Sequence, residues 1–444
     1  MSNIQLSDHF TVRRLLRFAL PSILMMIFTS IYGIVDGYFV SNYAGKTPFA
    51  AVNFIYPLVM VLGSIGFMIG TGGSALIGKT LGEGHPDRAN RYFSMLVWFS
   101  IGLSLVVGIP CILCLRPIAT LMGTDEAMLD LCVLYGRIVL SGLPFLVLQF
   151  EFQALFVLAE RPQIGLYATL AAGCLNMVLD WLLVGVLGFG IAGAASATVA
   201  SQVTGGIIPL VYFSRENGSR LRLGRPVLEL RPLLKALGNG SSEFVSNVSM
   251  SIVSMLYNAQ LLRYAGEDGV AAYGVLMYVG LIFISIFIGY SCGTAPITSF
   301  HFGAKNTDEL KSLLRKALRI ILISAFLMLL AGELLSRPFA ALFVSYDEHL
   351  MALTVRAFRF YSFTFLFAAL PIYGSSFFTA LNNGLVSAII SFLRTVVFEV
   401  AAVLLLAPVL GSDGIWLSLV VAEFAATCLA AFFLIAKRKK YNYW

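Results

Sequence analysis

The stretch that decides the fold is residues 320–330, IILISAFLMLL, in which Ser324 is the single polar residue. It lacks the apolar–polar alternation of a membrane barrel strand. The whole chain is 59% hydrophobic and 12% charged, whereas soluble domains carry about 25% charged residues. A membrane helix needs ~20 apolar residues, so 444 residues have room for about twelve spans with their loops. We predict an all-α polytopic membrane protein with twelve transmembrane helices.

The basic residues predict how the chain is oriented in the lipid bilayer. Most of the 30 lysines and arginines fall at the N-terminus, in residues 214–235, after the eighth predicted span and in the tail Lys437–Lys440. Cytoplasmic loops are enriched in Lys and Arg. We therefore predict a multi-pass protein of the cell membrane with both termini in the cytoplasm. The net charge of +7 then reflects topology, and we expect no nucleic-acid partner.

The chain also repeats itself. Residues 43–45 and 264–266 both read Tyr-Ala-Gly, 221 positions apart, and the same shift places Gly82 on Gly303 and Asp87 on Asp308. Parallel repeats of this kind are typical of transporters built from two helix bundles. We predict two pseudo-symmetric six-helix bundles, residues 1–213 and 236–444, joined by a basic cytoplasmic linker at residues 214–235.

One segment matches a nucleotide-binding pattern. Residues 73–80, GSALIGKT, fit G-x-x-x-x-G-K-[ST] letter for letter. That pattern binds phosphate where a loop follows a strand and opens a helix, whereas this segment closes a predicted membrane helix. We expect no nucleotide partner. No nucleophile is paired with a base and the four histidines lack ligand spacing, so we expect neither an enzyme nor a cofactor.

Carboxylates inside predicted spans are the most informative residues. A charge at mid-bilayer costs ~2.5–3.5 kcal/mol on insertion scales, so such residues mark functional sites. Asp36 in span one, Asp180 in span five and Thr198 in span six lie one to two turns below the same outer surface. Asn176 lies one turn from Asp180, and Tyr32 one turn from Asp36. These oxygens predict a site for Na⁺ or a proton, with Na⁺ held by Asp36 and Asp180.

The other intramembrane acids allow two interpretations. Glu151 and Glu243 lie nearer the predicted cytoplasmic ends, where a hydrogen bond between helices explains them equally well. Arg394, Glu399 and Glu423 predict a second polar network, to which Glu243 is added, in the second bundle. The alternative for these charges is a structural ion pair.

Several motifs resemble one transporter family. Residues 175–180, LNMVLD, then residues 190–198, GIAGAASAT, and Ser201-Gln202 are similar to spans five and six of the multidrug and toxic compound extrusion (MATE) family. The first span, with Pro21 and residues 34–36, IVD, resembles that family's opening. The resemblance covers the whole chain and is stronger in the first half.

The resemblance implies secondary active export of organic, often cationic, compounds in exchange for H⁺ or Na⁺. By motif position, Asp36, Asn176, Asp180 and Thr198 match the family's cation site. Tyr32 and Gln153 match positions of its cavity wall, and Phe28 and Met68 are side chains that suit a cavity for flat cations. We expect the coupling ion to take the place of a cofactor, and the transporter to be a monomer.

The second half departs from the family pattern. Residues 240–242, GSS, stand where many members have Gly-x-Pro, and the span from Phe360 to Leu381 carries no acid. A flippase for a lipid-linked saccharide is the main alternative, although it needs several central arginines and Arg394 is the one deep in a span. A transporter of the major facilitator type and an ion channel are the further alternatives.

Overall fold

The computed structural model describes residues 4–124, 126–345 and 347–444. Helices account for almost all of these residues, and none of them is assigned to a strand. Ten helices are long and apolar enough to cross a membrane. One of them, Leu230–Gly303, is two helices joined at Gly266, and a bent pair of shorter helices makes a further span. The described residues therefore contain twelve spans, and the predicted all-α polytopic membrane fold is confirmed.

We number the spans α1 to α12. The first six are α1 Val12–Ala44, α2 Lys46–Gly82, α3 Pro86–Leu113, α4 Met128–Ser141 with Leu143–Leu158, α5 Pro162–Val186 and α6 Gly190–Ser214. The last six are α7 at 230–265, α8 at 267–303, α9 Thr307–Val344, α10 Glu348–Ala380, α11 Gly384–Leu410 and α12 Ser412–Ala436. Short helices Leu115–Leu121 and Arg438–Tyr441 lie between α3 and α4 and after α12.

Most helix contacts fall within one half, but α1 and α2 also pack extensively on the α7–α8 segment of the other half. In the first half, α1 packs on α5, α5 on α6, α6 on α4, and α4 on α2 and α3. In the second half, α10 contacts α9, α11 and α12, and α11 contacts α12. An irregular segment at residues 215–229 joins the halves, which is shorter than the predicted linker of residues 214–235 because α7 begins at Leu230.

The internal repeat is visible in the backbone. Gly45 and Gly266 have positive φ values of 101° and 64°, and both make the sharp turn between the first two spans of their half. Gly190 and Gly411, also 221 positions apart, have φ values of 53° and 63° at the start of α6 and α12. Only glycine adopts this region at little cost, so the repeat preserves the turns that set the path of each bundle.

Close helix contacts join the halves near the predicted cytoplasmic side. A Cβ atom on Gly82 would lie 2.0 Å from the carbonyl oxygen of Phe300, and one on Gly303 would lie 2.1 Å from that of Lys79. These two contacts are related by the repeat. Further from that side, Gly240 on α7 packs against Met68 on α2. A Cβ atom on Gly240 would lie 1.9 Å from the carbonyl oxygen of Met68. We call these contacts the cytoplasmic seam.

Candidate coupling-ion site

Asp180 begins an irregular turn of its helix, and Asp36 lies one turn before another. A π-helical segment, Asp180–Val186, begins at Asp180, and another, Val40–Ala44, begins one turn after Asp36. The Val40 N–H is shared between the carbonyl oxygens of Asp36 and Gly37. π-helical turns are rare and are found frequently at functional sites. Asp180 therefore lies at, and Asp36 one turn before, a departure from regular helix geometry.

A glycine on α5 lets α1 approach this part of the bundle. A Cβ atom on Gly173 would lie 2.5 Å from the Phe28 ring and 2.9 Å from the Tyr32 ring. Both rings of α1 therefore lie directly against the α5 backbone. Asp36 is one turn beyond Tyr32 and Asp180 is two turns beyond Gly173, so this contact brings the two aspartates to the same depth.

The two carboxyl groups face each other within hydrogen-bonding range. Asp180 is fully buried and Asp36 is partly buried. Among the described residues, neither aspartate forms a salt bridge. Asp36 Oδ1 and both oxygens of Asp180 find no hydrogen-bond donor there either. Two ionised carboxylates in contact repel each other, so a shared proton or a small cation stabilises the pair.

Hydroxyl groups from other helices surround the carboxyl pair. Thr198 on α6 lies close to Tyr135 on α4, and Tyr135 also lies near both aspartates. Thr198 Oγ1 donates a hydrogen bond of 3.0 Å to the carbonyl oxygen of Ala194, which leaves its oxygen lone pairs for another partner. Asn176 is buried one turn before Asp180. The structure thus brings the four residues of the predicted ion site to one region of the first bundle.

The sequence analysis missed Tyr135 and Tyr56. Tyr56 on α2 lies near Asp36 and near Tyr278 of the second bundle, and its side chain is 52% exposed. Tyr56 and Tyr278 are both exposed and come from different halves of the chain. We call the space beside these two tyrosines the central cleft, and Asp36 lies near Tyr56. Tyr135 lies within two turns of the outer end of the fourth span, at a depth similar to that of Thr198. This depth was the signal for Tyr135. Tyr56 carries no comparable signal.

The four residues predicted for the substrate cavity lie in different places. Phe28 and Tyr32 lie inside the first bundle against Gly173, and their ring centroids are 6.0 Å apart. Gln153 is buried and lines a separate cavity between α4, α5 and α6. Met68 lies at the cytoplasmic seam, where its carbonyl oxygen faces Gly240. The structure therefore does not gather these four side chains around one space.

The second bundle holds a charge-matched pair beside a third acid. Arg394 Nε lies 2.9 Å from both carboxylate oxygens of Glu423, and Arg394 Nη2 lies 2.6 Å from Glu423 Oε1. Arg394 belongs to a third π-helical segment, Leu393–Phe398, and Glu399 lies close to both partners. Bidentate pairs of this kind are the strongest ionic hydrogen bonds.

Glu243 lies apart from the Arg394–Glu423 pair. It faces Arg394 at longer range and lines a cavity between the bundles with Thr71, Ser74, Cys292, Ser376 and Thr379. Glu151 is fully buried and accepts a 2.5 Å hydrogen bond from the Ser100 hydroxyl, as the helix-bridging interpretation predicts. Gly73–Thr80 lies inside the helix Lys46–Gly82. Its backbone N–H groups therefore belong to the helix and do not form a phosphate loop.

Comparisons with known proteins agree with this architecture. A model of the MatE family matches residues 21–182 and 244–404, one match in each half of the chain. The chain is similar to the multidrug export protein MepA of Staphylococcus haemolyticus (strain JCSC1435), with 23% identity over 96% of this chain and 94% of MepA. It is also similar to MepA of Staphylococcus aureus (strain MRSA252), with 22% identity over 95% and 93%.

Solved structures share the fold over the full length. A crystal structure of MATE in complex with MaL6 has a TM-score of 0.94 and 21% identity, and covers 100% of this chain and 99% of that one. The outward-facing conformation of a multidrug resistance MATE family transporter of the MOP superfamily has a TM-score of 0.91, 22% identity and the same coverage. Because the family model covers most of both halves, this chain belongs to the MatE family of transporters.

Proposed function

We propose that this protein is a secondary active antiporter that exports organic, cationic compounds in exchange for H⁺ or Na⁺. The similar MepA proteins are multidrug export proteins, which supports export of small organic compounds. The coupling ion binds in the first bundle, and the two bundles alternate in exposing the central cleft to either side of the membrane. The single observation that carries the proposal is the contact between Asp36 and Asp180 without a basic partner.

The chemistry of the pair supports exchange through one monovalent cation. Arg394 neutralises Glu423 in the second bundle, whereas no described Lys or Arg neutralises either aspartate of the first bundle. A proton or Na⁺ that binds there lowers the net negative charge beside the central cleft. A cationic substrate in the cleft is attracted to the unloaded pair and repelled by the loaded one. Each ligand therefore lowers the affinity for the other, and this coupling is reciprocal.

The membrane potential provides part of the driving force. Movement of one elementary charge through 100 mV is worth about 2.3 kcal/mol, and the coupling ion moves inward along this field. The cytoplasmic seam supports the alternating part of the cycle, because it closes one side of the space between the bundles by backbone contacts at Gly82 and Gly303. Tyr56 and Tyr278 offer aromatic faces to an organic cation that enters the central cleft.

Exchange in everted vesicles tests the proposal. Adding substrate should drive release of the coupling ion from the wild type. We expect Asp36→Asn and Asp180→Asn each to abolish this release, because the one remaining carboxylate no longer needs a shared cation. The control is Asp130→Asn, since Asp130 is exposed and pairs with Arg116 at 3.0 Å outside the site. Imposed Na⁺ and pH gradients identify the ion. Exchange in Asp36→Asn at the rate of the control would contradict the proposal.

A lipid-linked saccharide flippase fits the charges less well. A cavity for pyrophosphate needs basic side chains whose charge is free. The Arg394 side chain is only 18% exposed, and its charge is matched by Glu423. Its side chain is therefore committed within the second bundle. Because this bidentate contact uses the charge of Arg394, it favours export of cations over binding of an anionic headgroup.

A further inference from the structure

Three glutamines in the first bundle are buried without their full set of hydrogen bonds. Gln149, Gln153 and Gln202 are between 4% and 5% exposed. Gln149 Nε2, Gln202 Oε1 and both amide atoms of Gln153 find no partner among the described residues. An unpaired amide in an apolar interior costs several kcal/mol in transfer experiments, so buried polar groups almost always have a protein or water partner. These side chains are not explained by helix packing.

Two of the amides line one narrow cavity. Gln149 and Gln153 lie on α4, and they face Thr169 of α5 and Gly205 of α6 across the cavity. Phe152, Phe156 and Pro209 complete much of its wall. The free space is on the scale of one water molecule and is far too small for an organic substrate. Its polar groups are of the kind that hold buried water.

Tyr32 lies between the outer end of this cavity and the carboxyl pair. Gln149 lies close to Tyr32, and Tyr32 lies near Asp36. On α6, Gln202 is one turn below Thr198. Gly205 follows almost one turn further, and its backbone lies against the Gln149 side chain. Polar side chains therefore follow one another from the ion site into the inner half of the bundle, while most neighbouring residues are apolar.

The inner end of the cavity is closed by aromatic rings. Phe156, which lines the cavity, has its ring centroid 5.7 Å from that of Tyr212 and 5.1 Å from that of Phe213. Phe213 is fully buried and also stacks on Phe152, at 5.5 Å between centroids. These residues lie near the ends of α4 and α6 that we predict to face the cytoplasm. Phe156 thus separates the cavity from that side.

We propose that Gln149, Gln153 and Thr169 bind water in this cavity, and that the hydrated side chains form the route of a proton between the Asp36–Asp180 pair and the cytoplasmic side. The amides stay neutral, because each offers a fixed N–H donor and a carbonyl acceptor to water that carries the proton. A passage this narrow without a carboxylate does not replace the hydration shell of Na⁺. The inference rests on the proposed function and assigns the proton as the ion that uses this route.

Water in the cavity is tested without any transport measurement. Hydroxyl radicals generated by an X-ray pulse oxidise side chains that lie next to bound water. We expect oxidation of Phe156 in the purified protein, and a several-fold loss of that oxidation in Gln153→Leu and in Gln149→Leu/Gln153→Leu. Phe365, fully buried in the second bundle, is the internal control. Oxidation of Phe156 no greater than that of Phe365 would overturn the proposed water site.

The proton route is tested by opening its inner end. Phe156→Leu in proteoliposomes is expected to dissipate a pH gradient several-fold faster than the wild type in the absence of substrate. Adding Asp36→Asn or Gln153→Leu to that variant should remove the increase, and Phe365→Leu serves as the matched control. An unchanged rate in Phe156→Leu, or an increase that persists with Asp36→Asn, would overturn the route. Failure of the proposed function is distinguishable from failure of the water site. Exchange that survives Asp36→Asn contradicts the proposed function, whereas oxidation of Phe156 tests the bound water independently of exchange.

Discussion

At the scale of single residues, the buried acids of this chain have three different kinds of partner. Glu423 receives a bidentate arginine, and Glu151 receives a serine hydroxyl. Asp36 and Asp180 receive no cation and instead face each other. All of these acids show the same signal in the sequence, a carboxylate in an apolar run. The partner in three dimensions decides whether such a residue stabilises the fold or binds an ion.

The Arg394–Glu423 pair should behave as a structural pair. Arg394→Leu leaves a buried carboxylate without its cation, and removal of one partner from such a pair costs about 3–5 kcal/mol. We expect that loss in the free energy of unfolding in detergent. The double variant Arg394→Leu/Glu423→Leu should recover most of it, because apolar replacements of buried ion pairs are often neutral. A double variant as unstable as the single one would contradict this interpretation.

Tyr135 should tune the affinity for the coupling ion. Its hydroxyl lies near both aspartates, so we propose that it donates to the unloaded pair, and a hydrogen bond to a charged group is worth about 1.5–3 kcal/mol. We expect Tyr135→Phe to change the concentration of coupling ion that half-saturates exchange by about tenfold or more, with little change in protein yield. Tyr167→Phe is the control, because Tyr167 is 65% exposed on the same bundle. Equal half-saturation in the two variants would remove Tyr135 from the site.

At the scale of helices, the sequence predicts the spans well and their irregularities poorly. The apolar runs and the basic loops are enough to predict twelve spans. The apolar residues from 129 to 158 indicate one continuous fourth span, but this span bends by 56° at Gly142. Pro144 has no N–H to donate to the preceding turn, and Gly142 with Pro144 was the signal for that bend. The apolar runs that end at residue 264 and resume at residue 270 indicate a loop between them, whereas Gly266 alone makes the turn.

The π-helical turns had no signal in the sequence. Each inserts one residue into a helix, which changes neither the hydrophobicity nor the charge of the segment. Asp180–Val186 and Leu393–Phe398 therefore emerge from packing alone. The depth argument nevertheless placed Asp36, Asp180 and Thr198 together, because depth along a helix changes little when one turn widens. It did not predict which side chains would face each other, and Tyr56 and Gln149 were missed for that reason.

The cytoplasmic seam predicts a conformational effect of single methyl groups. Gly303→Ala or Gly82→Ala places a Cβ atom about 2 Å from a backbone carbonyl of the other bundle, which side-chain motion cannot relieve. We expect either variant to open the seam and to raise the rate at which a membrane-impermeant thiol reagent labels Ser299→Cys beside it. Gly102→Ala is the control, since its Cβ meets no atom within 4 Å. Labelling equal to that of the control would show that the seam tolerates the methyl group.

At the scale of the whole molecule, the two repeats share a backbone plan and differ in charge. Glycines at equivalent positions turn both halves and join them in the cytoplasmic seam. The first bundle holds the facing pair Asp36 and Asp180 without a base and Glu151 on a serine hydroxyl, and the second places an arginine beside two acids. Duplication explains the shared plan, and the difference in charge assigns ion binding to the first bundle in our account. The sequence alone could predict the repeat because turn glycines and loop residues coincide over many positions.

The central claim is that Asp36 and Asp180 share one monovalent cation that substrate displaces. The most direct measurement is the number of ions that purified protein in detergent releases when an organic cation such as ethidium is added, with a pH dye for protons and isotopic exchange for Na⁺. The account predicts release of about one ion per molecule in the wild type and in Asp130→Asn. It predicts none in Asp36→Asn or Asp180→Asn. Undiminished release from either variant would contradict it.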